Sequence, residues 1–258
     1  MKPHFLAPLA AMLSMVPASG STLMLDFGPT AVTGTSLTNS PYHTVAGAGF
    51  TDSSWNQITT ADLPSAIFSN GDAAAGITLN LGAAPQDSTV VNYATQPSNS
   101  NALGNAMGSN NIYTSPSVGR DGIFGLYAQS LGLQVTGLSA GIYEIFIIGR
   151  NTNISSSVVH SYAGVGTAGQ NFDFSGLTPV TINYTNLTST AAWIEGTNYT
   201  KHTVTVGEGQ ALNIATQGTG VENRGFMNAI QIVRQVPEPS VAVFAGGVLL
   251  PLLRRKRA

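Results

Sequence analysis

The stretch IYEIFIIGR, residues 142–150, is almost continuously apolar and lies near the middle of the chain. This pattern is typical of a strand at the centre of a sheet that is covered on both faces. In the preceding segment, Leu131, Leu133 and Val135 alternate with small or polar residues, as in a half-buried strand. A short connection containing glycine and serine separates the two segments. The sequence therefore predicts a β-hairpin over residues 131–150.

Further short segments with the character of β-strands flank this predicted hairpin. They are separated by turns rich in Gly, Asn and Ser, and no long helical periodicity appears. The predicted strands are residues 22–28, 44–50, 76–82, 158–164, 171–174, 211–215 and 226–233, with a further repeating pattern over 191–195 and 199–206. Residues 95–119 are predicted to form a long loop with a short helix around residues 102–107. Together these segments indicate an all-β fold, an antiparallel β-sandwich.

Composition limits the classes of function. Charged residues make up 9 % of the chain, against about 25 % in an average soluble domain. Between residues 21 and 236 there are five basic and eleven acidic residues, a net charge of −6. Nucleic acid is therefore excluded as a partner, because phosphate binding needs a basic face. The chain has no cysteine, so its stability must come from its core or from a bound ion.

The N-terminal segment has the features of an export signal. Lys2 is the only charged residue before Asp26, and residues 5–16 form an apolar core. Small residues follow at a position that suits signal peptidase. We therefore predict a signal peptide over residues 1–20, with a mature chain that starts near Ser19 or Ser21.

The C-terminal segment has three parts in a fixed order. Pro237, Glu238 and Pro239 are followed by an apolar run over residues 241–253. This run is shorter than the roughly 17–25 residues that a spanning helix needs. A basic cluster ends the chain, and it consists of Arg254, Arg255, Lys256 and Arg257 before the final alanine.

These three parts resemble the PEP-CTERM sorting signal of Gram-negative bacteria. The resemblance implies that residues 236–258 are a sorting tail and that an exosortase-type enzyme processes it at or near Pro237, Glu238 and Pro239. The basic cluster would stay on the cytoplasmic side of the inner membrane. Because the apolar run is short, the membrane contact would be transient. The expected destination is the bacterial cell surface or extracellular matrix. A permanent C-terminal anchor is the alternative.

The body of the chain, residues 21–235, resembles jelly-roll, galactose-binding-like and malectin-like β-sandwich modules. The residues that carry this resemblance are Asp-Phe-Gly at 26–28, the segment 142–150 and the closing segment NAIQIV at 228–233. The resemblance implies a module of the kind that binds carbohydrate. With the two terminal signals, it favours an exported, non-catalytic component of extracellular polysaccharide or biofilm, either structural or carbohydrate-binding.

The sequence contains no recognisable catalytic set, and we predict that the protein is not an enzyme. Its histidines have no metal-site spacing. Two alternatives remain open. One is a glycan-active hydrolase in which Glu195 pairs with Glu144 or Glu222, although Glu144 could instead form a structural ion pair with Arg150 or Arg224. The other is an adhesin that self-associates through its edge strands.

Four residues are candidates for ligand binding: Trp55, Trp193, Tyr199 and Arg150. Aromatic rings can stack on the apolar faces of sugars. Trp193 lies within Ala-Ala-Trp-Ile and is the better candidate for the core, whereas Trp55 lies between polar residues and is expected to be exposed. No cofactor is expected. A structural calcium ion is possible because several loops carry aspartates, namely Asp52, Asp72, Asp87, Asp121 and Asp173.

Overall fold

A computed structural model describes residues 22–236 except 60–62, 64, 96, 98–110, 127, 153, 155–156, 185–190 and 220–222. Within these residues, strands dominate and helices are short. The strands are β1 Thr22–Phe27, β2 Asn56–Ile58, β3 Ala66–Ile67, β4 Ala73–Ala74, β5 Thr78–Ala84, β6 Val90–Val91, β7 Ile123–Phe124, β8 Ser130–Thr136, β9 Gly141–Ile148, β10 Ser157–Thr167, β11 Phe172–Asp173, β12 Val180–Tyr184, β13 Thr200–Val206, β14 Gln210–Thr219, β15 Phe226–Met227 and β16 Ala229–Gln235. The helices are α1 Pro41–Ala46 and the 3-10 helices Gly34–Thr38, Gly47–Gly49 and Asn111–Tyr113.

Two five-stranded sheets form a β-sandwich, which confirms the predicted fold class. The first sheet has the strand order β13-β9-β16-β1-β2, and the second has the order β12-β10-β14-β8-β5. All neighbours within the two sheets are antiparallel except β1 and β2. Three two-stranded pairs, β3–β4, β6–β11 and β7–β15, lie outside these sheets.

Strand β9 is buried on both faces, as its apolar sequence predicts. Ile145 and Ile147 are fully buried in the cluster between the sheets, which also contains Leu133 of β8. Phe146 and Ile148 point to the opposite face, where a second hydrophobic cluster buries them to 1 % exposure. The first sheet therefore has two covered faces.

The predicted hairpin over residues 131–150 is wrong, because its two strands belong to different sheets. Strand β8 pairs with β5 and β14, whereas β9 pairs with β13 and β16. The connection between them crosses from one sheet to the other. Alternation of apolar residues shows which side chains face the core, but it does not show in which sheet the strand lies. Strands β13 and β14 are likewise joined by a short connection between the sheets.

Two other local predictions are also corrected. Residues 44–50 form the end of α1 and a 3-10 helix, because Pro41 occupies the first turn and Ser40 caps it. Residues 191–195 form no regular strand. There the side chain of Asn198 accepts from the Ile194 amide at 2.8 Å and donates to the Ala192 carbonyl at 2.8 Å, which stabilises a turn. The predicted helix at 102–107 lies outside the described residues.

Two glycines in the connections between the sheets provide a test of this topology. Gly137 (φ +78°) and Gly209 (φ +70°) both have left-handed backbone conformations. A Cβ at Gly137 would lie 1.9 Å from the Gly76 carbonyl oxygen, whereas a Cβ at Gly209 would meet nothing within 4 Å. We expect Gly137→Ala to lower the free energy of unfolding by about 3 kcal/mol or more and Gly209→Ala by about 1 kcal/mol. Urea denaturation measures both, and equal losses would contradict the close approach at Gly137.

Candidate functional site

The outer face of the first sheet is covered by three loop segments, residues 29–55, 111–121 and 191–199. Their side chains form a hydrophobic cluster with β9 and β16, here called the aromatic cluster. Its buried members are Val32, Ile112, Tyr113, Val118, Phe146, Ile148, Ile182, Trp193, Tyr199, Ala229 and Val233, and Leu37, Tyr42 and Trp55 pack against it. The cluster holds segments that are distant in sequence against one face of a rigid sheet.

Three of the four candidate ligand-binding residues lie inside the aromatic cluster or against it. Trp193 is 6 % exposed, and its ring packs edge-on against Tyr113 at a centroid distance of 5.6 Å. Tyr199 is 5 % exposed and packs against Phe146 at 5.9 Å. Trp55 is half-buried, and its indole N–H donates to the Leu37 carbonyl at 3.0 Å. These rings mainly support the loops that cover the sheet.

The fourth candidate, Arg150, is also buried. Its guanidinium lies 3.8 Å from the centroid of the Tyr113 ring, and its Nε donates to the Gly119 carbonyl at 3.0 Å. Its Nη2 contacts the Arg120 carbonyl at 3.5 Å. Its side chain is 1 % exposed, so it is not available to a ligand. Through these contacts, Arg150 positions the loop over residues 113–120.

A polar cleft opens beside the aromatic cluster, with a volume of about 410 Å³. One wall is the segment 33–39 and the other is the segment 111–117. Its lining residues are Thr33, Gly34, Thr35, Ser36, Asn39, Asn111, Thr114, Ser115, Pro116 and Ser117. None of these described residues carries a charge, so hydroxyl and amide groups dominate the chemistry of the polar cleft.

Hydrogen bonds fix the two walls of the polar cleft. The Thr33 amide donates to the Pro116 carbonyl at 3.4 Å, which joins one wall to the other. The Trp193 indole N–H donates to Asn39 Oδ1 at 2.9 Å. This bond sets the orientation of the exposed Asn39 amide and leaves its NH₂ group to donate to a ligand.

The polar cleft is only partly visible in the sequence. One wall, residues 33–39, is rich in Thr with Gly and Ser, a composition typical of loops, and the other, residues 111–117, lies in the predicted loop over residues 95–119. Neither segment was assigned to a site, because nothing in local composition shows that residues 33–39 and 111–117 lie together.

A second, open groove of about 520 Å³ lies between β10 and β13. Its lining includes Phe172, Leu177, Thr203, Thr205 and the carboxylate-bearing Asp173. Unlike the polar cleft, the groove presents a negative charge. Asp173 is already engaged, since it accepts hydrogen bonds from the Ser175 amide at 2.9 Å and the Thr89 hydroxyl at 3.1 Å.

The proposed pairing of Glu144 with Arg150 or Arg224 is wrong. Glu144 forms an ion pair with Lys201 at 2.5 Å and accepts from Gln235 at 3.0 Å. The Arg224 guanidinium lies over the rings of Phe124 and Phe226. Glu222, a possible catalytic partner, lies outside the described residues.

A serine and a histidine are in contact between the sheets, but their arrangement does not suit catalysis. Ser161 Oγ lies 2.8 Å from His202 Nε2 and 2.7 Å from Thr200 Oγ1, and it donates to the Val180 carbonyl at 3.1 Å. Ser161 is 1 % exposed, so its hydroxyl is not available to a substrate. No carboxylate among the described residues is hydrogen-bonded to His202. Burial lowers the pKa of His202 to about 4.

The five aspartates considered for calcium do not converge on one site. Within the described ranges, no group of three or more His, Cys, Asp or Glu side chains is arranged to hold a metal ion. Asp52 accepts from Ser69 at 2.5 Å, Asp72 accepts from Asn70 at 2.7 Å, and Asp87 is exposed. Asp121 differs because it is buried, and it lies near Asp26, a residue that was not among the candidates.

Asp26 and Asp121 form a buried acidic pair under the loops. Burial raises the pKa of Asp26 well above its usual range, and the charge of Asp121 raises it further, while the Val32 amide lowers it. Burial also raises the pKa of Asp121, against the opposing effects of its hydrogen bond from Thr30 and of the nearby Arg120. Neither aspartate forms an ion pair with a basic residue in the part of the chain that the structure describes.

The sorting residues Pro237, Glu238 and Pro239 and the basic cluster Arg254, Arg255, Lys256 and Arg257 lie outside the described residues. Among the residues that are described, no helix has the length and apolar character needed to cross a membrane. The predicted signal peptide and sorting tail therefore stay predictions.

The sequence matches no protein-family model. It also matches no curated protein. Among solved structures, the YxiM protein of Bacillus subtilis is similar with a TM-score of 0.39 and 13 % identity, over 85 % of this chain and 41 % of that one. The chain thus spans less than half of the YxiM protein.

Two carbohydrate-binding modules show weaker similarity. TmCBM61, solved with β-1,4-galactotriose, gives a TM-score of 0.25 and 14 % identity, over 45 % of this chain and 71 % of that one. A family 35 carbohydrate-binding module from Clostridium thermocellum gives a TM-score of 0.24 and 12 % identity, over 41 % of this chain and 72 % of that one. Similarity at this level carries no argument about a ligand.

The lowered pKa of His202 predicts a loss of stability in acid. Between pH 6.5 and 4 the unfolded chain binds a proton at this histidine and the folded chain does not, so the free energy of unfolding falls as the pH falls. We expect this residue to contribute a loss of roughly 2–3 kcal/mol between pH 7 and pH 4. Urea denaturation of the wild type and of His202→Gln at both pH values measures it. An equal acid-induced loss in the two proteins would contradict a His202 that stays neutral in the folded protein.

Proposed function

We propose that the protein is an exported, non-catalytic β-sandwich that binds neutral carbohydrate chains of the extracellular polysaccharide through its polar cleft. The observation that carries this proposal is the lining of the polar cleft, which consists of uncharged hydroxyl and amide groups held by two ordered loops. Sugar hydroxyls donate and accept hydrogen bonds, and groups of this kind can do both.

The hydrogen bond between Trp193 and Asn39 supports this proposal. A ligand gains affinity when the groups that bind it are already oriented, because less conformational entropy is lost on binding. The Asn39 amide is exposed yet fixed at one atom by a buried indole. Trp193 would thus act by positioning Asn39, and Trp55 would act by supporting the wall at Leu37.

The charge of the chain favours a neutral ligand. Residues 21–236 carry a net charge of −6, which disfavours binding of acidic polymers at low salt. Among the described residues, the lining of the polar cleft carries no charge that would attract an ionic ligand. A neutral polysaccharide therefore fits the protein better than a polyuronate or a nucleic acid does.

The terminal segments support the cellular part of the proposal. A signal peptide over residues 1–20 would direct the chain out of the cytoplasm, and the tail over residues 236–258 would hold it at the inner membrane until an exosortase-type enzyme acts. The destination would be the cell surface or its extracellular matrix, where polysaccharide is available.

The binding part is tested by titrating a panel of neutral and acidic oligosaccharides into the wild type and into Asn39→Ala. We expect a neutral glycan to bind and the variant to lose about tenfold in affinity, because one oriented amide is removed from the polar cleft. Isothermal titration calorimetry gives the dissociation constants.

Thr205→Ala is the matched control, because it removes an exposed polar side chain from the open groove between β10 and β13. It should bind like the wild type. Loss of binding in Thr205→Ala with no change in Asn39→Ala would move the site to that groove. No binding to any glycan by the folded protein would reject the proposal.

The sorting part is tested separately by intact mass spectrometry of the protein isolated from the cell surface. We expect a mature chain that starts near Ser19 or Ser21 and lacks Arg254, Arg255, Lys256 and Arg257. A surface protein that retains these four residues would contradict processing of the tail and favour a permanent anchor.

A further inference from the structure

Asp26 is a buried acid with no basic partner among the described residues. It lies on β1 opposite Ala229 of β16, on the outer face of the first sheet. Its side chain is 1 % exposed, and neither carboxylate oxygen has a well-formed hydrogen bond among the described residues, although the nearby Val32 amide lowers the pKa of the carboxyl. Buried polar atoms in native proteins almost always have a partner. A bound ligand would supply the partner that these carboxylate oxygens lack.

Asp121 lies near Asp26, and hydrogen bonds fix its position. Its carboxylate lies against Gly28, where a Cβ would be 2.6 Å from both Asp121 Cγ and Oδ2. Oδ2 accepts from the Thr30 amide at 2.7 Å, whereas Oδ1 is buried without a hydrogen-bond partner. The Asp121 carbonyl accepts from Asn228 Nδ2 at 2.7 Å, which fixes the loop. One further oxygen is therefore presented in a fixed position.

We propose that Asp26 and Asp121 together bind a divalent, oxygen-preferring cation, with calcium as the best fit. Hard cations are bound by carboxylate and carbonyl oxygens, and calcium accepts six to eight such ligands in irregular geometry. The two carboxylates supply at most four of them, and backbone carbonyls and water supply the others. The absence of histidine and cysteine from the pair excludes a zinc-type donor set.

The position gives the cation a structural task. Residues 26–33 lead from β1 into one wall of the polar cleft, and residues 117–121 lead out of the other wall. A cation held by both carboxylates would fasten the two walls to the first sheet. This inference does not rest on the proposed carbohydrate binding, and its test uses no glycan.

The test compares the full-length protein in EDTA and in calcium chloride. At calcium concentrations about 100-fold above the dissociation constant, we expect the melting temperature of the wild type to rise by about 5–10 °C. Calorimetric titration with calcium chloride should give about one ion per chain. Asp26→Asn should lose the calcium-dependent rise, and in EDTA it should melt at or above the wild-type temperature because a buried acid has been neutralised.

Asp87→Asn is the matched control, because Asp87 is an exposed aspartate at φ +62°, a conformation that asparagine also adopts. It should keep the full response to calcium. The proposal is overturned if the wild type shows neither a rise in melting temperature nor calorimetric binding in calcium. It is also overturned if Asp26→Asn keeps the rise, and the pair then holds only a proton. If Asp26→Asn does not fold, the calorimetric stoichiometry of the wild type decides the question.

Discussion

Burial of β9 on both of its faces is the constraint on which the remaining structure depends. Four consecutive side chains from Ile145 to Ile148 are each at most 1 % exposed, and complete burial of such side chains contributes roughly 1.5–3 kcal/mol each. The inner pair needs a second sheet, which β8 and its neighbours provide. The outer pair needs a further layer, and three loops provide it. Burial of both faces of β9 thus requires both the second sheet and the covering loops.

The covering layer explains how loops in a chain without disulfides can form a defined site. Arg150 lies over Tyr113 and binds the carbonyls of residues 119 and 120, and Trp193 binds Asn39. These contacts fasten loops from distant parts of the sequence to a rigid sheet, which is the usual arrangement of binding sites on β-sandwiches. The hydroxyl and amide groups that remain at the margin of this layer form the polar cleft.

Much of the fold could be predicted from the sequence, because alternation and continuous apolar runs report burial directly. Strands β1, β5, β10, β13 and β16 were predicted close to their observed positions. The prediction that β8 pairs with β9 is wrong, since a strand that faces the core from one sheet has the same pattern as a strand that faces it from the other. The apolar residues over 44–50 suggest a strand, but the cap at Ser40 and Pro41 starts a helix that extends into this segment.

The site was harder to predict for a different physical reason. Trp193 was expected in the core, and it is buried, but its polar role depends on the position of Asn39, more than 150 residues away. The burial of Asp26 could not be predicted from its local sequence, because it depends on the register of this residue with Ala229 and on the loops that cover it. Contacts between distant segments determine these properties, and local composition does not record them.

The most direct test of the central claim is a titration of ¹⁵N-labelled protein with a neutral oligosaccharide, followed by NMR. The account predicts that the shifts concentrate on the Asn39 and Asn111 side-chain amides, on the Trp193 indole and on backbone amides of residues 33–39 and 111–117. Shifts concentrated on residues 163–177 and 203–205, or no shifts at saturating sugar, would contradict the assignment of carbohydrate binding to the polar cleft.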